Sequence, residues 1–521
     1  MSTTELKGHA DTADPGLARR SLGSWSLGFF PISASAPLTV FIAGVGATYA
    51  VTGVVAGVPL GYLLLPVPLW LLSIGYVSVN GHLKHAAPFV AVLAHGLGRP
   101  AGVSGGLLAL LGYGAVQLAL YPFAGATLAA TFGGPWLLWA VFLTAIISVI
   151  GARRSEIVAR VLAGLTLAEV LLIVVIILVS LTNPAPGTSL TSIAHHGVVS
   201  GDIGAMVALS VAGFLGWDSS GAYAEEAQTD RAVRLATYGA LIGLGPLYAL
   251  SALSPIIAVG PDQIGEAASN DRLLPLTILS DHLGPFFGPV FAAIGQGLLL
   301  TSIAGSLLSF NPTTNRYLYG MARERILPRA LAVTGERWQR AHRDAPVFAS
   351  VIQAVVTVAV LVLLAALGMK PEALFTWLAA LAAFSIITLL VLSSLSAMRF
   401  KPAGVVWGTF WTRRAGPALG VLSGAGLLLI MLWWMHTLLG VQQASWHTRL
   451  QIPVLVVSFF VIGLLWGALI FAVNRKVYAG IGSGRQHPLA VPARRMAEPA
   501  AAMLAGLSIR NRRTRDPRSR P

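Results

Sequence analysis

Ala168-Glu-Val-Leu-Leu-Ile-Val-Val-Ile-Ile-Leu-Val-Ser180 is apolar at every position but its second and its last, and its polarity does not alternate. A strand of a membrane barrel needs alternation, because one face meets lipid and the other the lumen. This stretch therefore reads as helix. It lies in a run, 157–182, that exceeds the roughly 20 apolar residues a helix needs to cross the hydrocarbon of a bilayer. Similar runs fall near 26–47, 57–78, 105–131, 134–152, 202–224, 237–260, 286–309, 346–368, 373–398, 416–440 and 451–473, so about 12 transmembrane helices are expected. Composition agrees: 55% of residues are hydrophobic and 11% charged, with a mean hydropathy of +0.74. That is more apolar material than one soluble core uses. The expected fold is all-α and integral to the membrane.

A net charge of +15 and a pI near 10.6 would suggest a nucleic-acid partner in a soluble chain. The positions of the charges point elsewhere. With a cytoplasmic N-terminus and alternating spans, only Arg272, Lys370 and Arg449 of the 35 Lys and Arg residues fall in outside loops. This is the positive-inside pattern of a multi-pass protein, so both termini are expected in the cytoplasm, at a plasma membrane, with lipid rather than nucleic acid as surroundings. Zero cysteines exclude disulfides and thiolate chemistry. The polar Met1 to Arg20 lacks the basic, apolar, small-residue order of a cleaved signal peptide.

Three regions are expected: a cytoplasmic N-terminal segment (1–21), a transmembrane domain (22–473) and a basic, disordered cytoplasmic tail (474–521). The tail's Arg510, Arg512, Arg513, Arg515, Arg518 and Arg520 suit an anionic lipid surface. Two inner segments are distinctive. Residues 79–104, with Lys84, His85 and Arg99 among apolar residues, read as re-entrant or interfacial, and 310–345 as a basic amphipathic loop.

Two spans carry helix-breaking chemistry at corresponding places. The first contains Pro31-Ile-Ser-Ala-Ser-Ala-Pro37, where two prolines remove backbone donors. The sixth contains Ala212-Gly-Phe-Leu-Gly-Trp-Asp218, whose two glycines each cost about 1 kcal/mol of helix stability relative to Ala. Five spans separate them, which suits a 5+5 inverted-repeat core with broken helices 1 and 6 and two additional helices. Unpaired backbone in hydrocarbon needs a ligand, an ion or water. The breaks are therefore candidate binding sites.

Phe214-Leu-Gly-Trp-Asp218 followed by Tyr223-Ala-Glu-Glu226 resembles the sixth helix of the amino acid/polyamine/organocation permease superfamily, which reads F-x-G-[FW]-[ED] and ends in Glu-Glu. Asn315-Arg-Tyr-Leu-Tyr-Gly-Met-Ala-Arg-Glu-Arg-Ile-Leu-Pro-Arg-Ala-Leu331 is similar to that superfamily's loop after the eighth helix, R-x-x-x-x-x-x-R-[DE]-x-x-x-P. The chain departs from the pattern in continuing Ala227-Gln-Thr-Asp230 where relatives run into Asn-Pro, and in Ser33-Ala-Ser-Ala-Pro37 where many have glycines. The resemblance implies that the substrate's amino acid backbone is held by Ser33, Ala34, Ser35 and Ala36 on one side and Gly213, Phe214, Leu215 and Gly216 on the other. It also implies a gating or proton-sensing role for Asp218.

Glu169 lies deep in the fifth span, where a carboxylate costs at least ~3 kcal/mol. Proton-coupled relatives carry an ionisable lysine in a similar place. A carboxylate suits either a protonatable switch or a cation site completed by Thr301 and Ser302. Tyr113, Gln117 and Tyr121 recur every four residues on one face of the third span, either lining the cavity or acting as interhelical contacts and interface anchors. Trp217 is a candidate aromatic gate, as is Trp377. His195, His196 and His436 show no metal-ligand spacing.

No Walker A loop, G-x-S-x-G or H-E-x-x-H is present in the sequence, and no enzymatic chemistry or cofactor is expected beyond a coupling ion, H+ or Na+. The expected function is secondary active transport of an amino acid by alternating access, between spans one, three, six, eight and ten, with protons favoured over sodium. The alternatives are exchange, transport of polyamines or other organic cations, and a membrane sensor that does not transport.

Overall fold

The computed structural model describes residues 21–197, 201–334, 345–402, 408–441 and 445–484. The helices used below, in chain order, are α1 (Ser24–Ala34), α2 (37–52, π-helical over Val40–Val45), α3 (Gly57–Leu83), α4 (Pro88–Gly96), α5 (Arg99–Phe132), α6 (Trp136–Gly151), α7 (Ser155–Thr182) and α8 (Ile203–Ala212). They continue as α9 (Asp230–Val259), α10 (Gly284–Arg323), α11 (Val347–Ala366), α12 (Pro371–Arg399), α13 (Gly416–Trp433), α14 (Trp446–Val473) and α15 (Arg475–Gly480). Among the described residues there is no sheet, and ten helices, counting α1 and α2 together, are long and apolar enough to cross a membrane.

The other two expected spans correspond to shorter helices. α6 has 16 residues, about 24 Å at 1.5 Å per residue against a hydrocarbon core of about 30 Å. α8 stops after ten residues, and the chain continues as a series of turns and a 3-10 helix, Ser219–Tyr223. The sixth span is thus half helix rather than two helical halves. Gly216 takes φ +98°, which an L side chain rarely adopts, and polar Asp218-Ser-Ser-Gly221 comes next.

The first span breaks where expected. α1 ends at Ala34, Ala36 turns left-handed at φ 46°, and α2 starts on Pro37, which has no N–H to lose.

Three expected boundaries need correcting. Residues 310–323, read as the start of a loop, continue α10, and their side chains are mostly buried. Hydropathy underrates this stretch because it contains Arg316 and Arg323, whose charges are neutralised by partners outside the helix. Arg449, assigned to an outside loop, belongs to the first turn of α14. The re-entrant or interfacial segment is represented by α4: nine residues, about 14 Å, too short to cross. Residues 474–484, counted with the tail, begin with Asn474 capping α15 through its Oδ1 and the Val477 N–H at 3.1 Å. The N-terminal residues 1–20 and the tail's arginine cluster lie outside the described residues.

α5 is the central post, packed on α4, α6, α10, α12 and α14, while α1 packs on α7, α9 and α10. On α7, Leu167, Leu171, Val174, Leu178 and Leu181 form one stripe at helical spacing, with Leu167 70% and Leu171 65% exposed. An apolar stripe turned outward fits a solvent of lipid tails. Glu169, Leu172, Ile173 and Ile176 occupy the opposite, buried face.

Candidate functional site

The two breaks meet in the middle of the bundle. A methyl group on Gly216 would come within 2.4 Å of Ala34 Cβ, so only glycine lets these backbones approach. Ser35 Oγ lies 3.1 Å from both the Leu215 and the Pro31 carbonyl oxygens, so its proton is shared between the sixth span and its own helix. Carbonyls of the first span are taken up from outside. Ser306 donates to Ala34 O at 2.6 Å, Ser309 to Phe30 O at 2.7 Å and Tyr248 to Ser35 O at 3.2 Å. Ser33 bonds Thr166 on α7. Backbone that hydrocarbon would leave unpaired is here shared among hydroxyls, a pairing that a ligand's ammonium or carboxylate can compete for.

Glu169 is 1% exposed and faces the same break. Ser302 Oγ donates to its Oε2 at 2.8 Å, and the Thr39 N–H at the start of α2 reaches Ser302 Oγ at 3.4 Å. Carboxylate, hydroxyl and a helix start thus converge between α2, α7 and α10. Thr301, expected alongside Ser302, instead donates to Leu298 O on its own helix at 2.9 Å. Consecutive helix residues point about 100° apart, so Ser302 and Thr301 cannot share one target.

Asp218 is fully buried and is paired with no arginine among the described residues. Tyr113 donates to its Oδ2 at 2.5 Å, Tyr76 to its carbonyl at 3.4 Å, and its Oδ1 has no hydrogen-bond partner. Trp217, also fully buried, donates to Ser73 on α3 at 2.7 Å. Gln117 donates to Thr314 at 2.9 Å and accepts from Gln353 at 2.7 Å, linking α5, α10 and α11. Tyr121 is buried inside the bundle rather than at an interface, whereas the half-buried Trp377 approaches the exposed Gln451 of α14. His195 and His196 are bonded to Thr191 and paired with Asp262, and no metal-ligand cluster occurs among the described residues.

A second polar constellation lies toward the other end of α10. Arg316 donates to Glu226 Oε1 at 2.6 Å and to Ser155 at 2.8 Å, while its guanidinium stacks 3.9 Å from the Tyr223 ring centre. Arg323 pairs with Glu225. Next to it, Glu324 accepts from His85 at 2.9 Å and from the Gly482 and Gly484 N–H groups at 2.9 and 2.7 Å. Burial pushes the Glu324 carboxyl up, but the charge and hydrogen bond of His85 and the two glycine amides outweigh it and leave it below the usual 4.5. Leu22 bonds Glu226 O and receives the Gln228 N–H, at 3.0 and 2.9 Å. The two motifs that carried the resemblance, Glu225-Glu226 and Arg316 to Glu324, are therefore one interlocked assembly joining spans one, five, six and eight to the start of α4.

The sequence reading missed Tyr76, Tyr248, Ser306 and Ser309 as site residues. A signal existed for the serines: Ser302, Ser306 and Ser309 stand four and three residues apart on one face of α10. Arg316, Glu226 and Glu324 were noticed as motif letters without their pairing.

The family model described as amino acid permease matches residues 22–460. No curated protein matches the chain.

Proposed function

Since the chain belongs to the amino acid permease family, we propose that it is a secondary active transporter that carries an amino acid across a plasma membrane by alternating access. It is a multi-pass helical membrane protein. The observation that carries the proposal is the contact between the two breaks, Gly216 against Ala34 with Ser35 on the Leu215 carbonyl. A zwitterion inserted there would exchange these internal bonds for its own ammonium and carboxylate, with Ser33, Ala34, Ser35, Ala36, Gly213, Phe214, Leu215 and Gly216 as its cradle. Tyr113, Gln117 and Trp217 would support that cradle. Glu169 with Ser302 is the coupling site, for H+ ahead of Na+, with Asp218 as gate. The termini face the cytoplasm in this reading, and 22–473 is the permease domain in a 5+5 inverted-repeat arrangement with two further helices.

A second reading is carriage of an organic cation, favoured by the free Oδ1 of Asp218 beside Tyr76 and Tyr113. Vesicles reconstituted with the protein and offered labelled amino acids and amines, with imposed proton or sodium gradients, test both. Accumulation of an amino acid down an ion gradient supports the first reading; selective amine uptake supports the second. Counterflow without gradient-driven accumulation indicates exchange, and no movement of any substrate removes transport altogether.

A further inference from the structure

Three arginines are buried among the described residues: Arg316, Arg323 and Arg449. All three stack on aromatic rings, which satisfies the faces of the guanidinium but not its in-plane N–H donors. Arg316 and Arg323 are ion-paired with Glu226 and Glu225, with Arg323 Nε left over. Arg449 differs. It is 9% exposed, its guanidinium carbon lies 4.3 Å from the Trp433 ring centre and 5.3 Å from that of Trp446, and its Nε has no hydrogen-bond partner. No carboxylate pairs with it among the described residues.

Its place makes the missing anion more conspicuous. Arg449 sits in the first turn of the 28-residue α14, where the helix dipole already presents positive charge. Ser445 caps the Thr448 N–H at 3.1 Å, but the first-turn N–H groups of Trp446 and His447 have no acceptor within the helix. An arginine at a helix N-terminus is unfavourable unless an anion joins it, and the same geometry is well suited to hold one. The far end of α14 lies beside Ile326, whose carbonyl accepts from Trp466 at 3.1 Å, so Arg449 is at the opposite end of the bundle from the Glu225 and Glu226 assembly. A helix of about 42 Å in a hydrocarbon core of about 30 Å puts its first turn at headgroup depth.

We propose that Arg449, the α14 N-terminus and the flanking Trp433 and Trp446 form a binding site for a phosphate oxyanion at the membrane interface, the phosphate of an anionic phospholipid or a free phosphate. The Trp433 and Trp446 rings, at 85° to one another, flank the guanidinium on two sides and leave its in-plane N–H groups to meet the phosphate oxygens in bidentate fashion.

The test uses the full-length protein purified in neutral detergent, titrated separately with phosphatidylglycerol, phosphatidylcholine and inorganic phosphate, and read by native mass spectrometry and by tryptophan fluorescence. Phosphatidylglycerol should bind the unaltered protein with affinity about tenfold higher than it binds Arg449→Gln, as expected for loss of a charge-assisted pair. Arg449→Lys, which keeps the charge but not the planar fork, should weaken binding less and remain measurable if the Gln variant does not fold. Exposed Arg272→Gln, which changes charge elsewhere, should have no effect. Equal saturation by inorganic phosphate, lost in the same variants, identifies a free anion as the occupant and also supports the site. If neither probe distinguishes the unaltered protein from Arg449→Gln and Arg449→Lys, the site does not exist.

Discussion

Glu169 and Gly216 illustrate what a single residue does at the junction of the two breaks. The carboxylate of Glu169 was conspicuous in the sequence because hydrocarbon penalises it, and its bond to Ser302 shows how the fold accommodates it. A glutamine can accept the same bond but cannot bind or release a proton. Glu169→Gln should therefore retain counterflow of substrate while losing gradient-driven accumulation by about ten- to a hundredfold; normal accumulation would make Glu169 a structural residue. Gly216 was visible as a helix breaker, but its contact with Ala34 was not. Gly216→Ala places a methyl group 2.4 Å from Ala34 Cβ at a left-handed φ. The expected loss is roughly 2–4 kcal/mol, measured as a lowered melting temperature in detergent. An unchanged melting temperature would mean that the breaks do not touch.

Between elements, the strongest polar link joins α10 to the end of the sixth span. Removing one member of a buried ion pair strands the other, so Arg316→Gln and Glu226→Gln should each cost about 3–5 kcal/mol. The double variant carrying both Gln substitutions should cost less than the sum, which a double-mutant cycle in thermal unfolding measures. Strict additivity would deny the pair. Glu324 ties the segment after α15 to the same assembly, and its sign with pH is fixed by the direction of its shift. A carboxyl held below 4.5 contributes its full stabilisation above that value and loses it as the pH falls through the lower, folded value. Amide exchange at Gly482 and Gly484 should thus be slow at neutral pH and faster, after correction for intrinsic rates, as the medium is acidified below 4.5. Glu324→Gln should speed it already at neutral pH. At this scale the motifs were legible as letters at fixed spacing, yet 90 residues separate Glu226 from Arg316 along the chain, and nothing in local spacing says that they pair.

For the whole molecule, the loop charges predict orientation, and the cysteine-free chain makes the test clean. Single cysteines at Arg272 and Lys370 should react with an impermeant thiol reagent from outside intact cells, and one at Lys401 only after permeabilisation; any reversal among them would refute the positive-inside assignment. The sequence by itself determined the membrane, the helical class and the two breaks, because hydrophobicity, proline and glycine act locally and their effects accumulate along the chain. It also bounded the spans, except where charged or short segments defeat a hydropathy criterion: α10 runs on through Arg316 to Arg323, and the sixth span is helical only as far as Ala212. Tertiary structure alone decided which polar groups meet: Ser35 with the Leu215 carbonyl, Asp218 with Tyr113, Arg316 with Glu226, and Arg449 with no acid among the described residues. The reason is physical. The cost of a buried charge or an open carbonyl is set by whatever stands within about 3 Å of it, and in a bundle that neighbour is supplied by a helix distant in sequence.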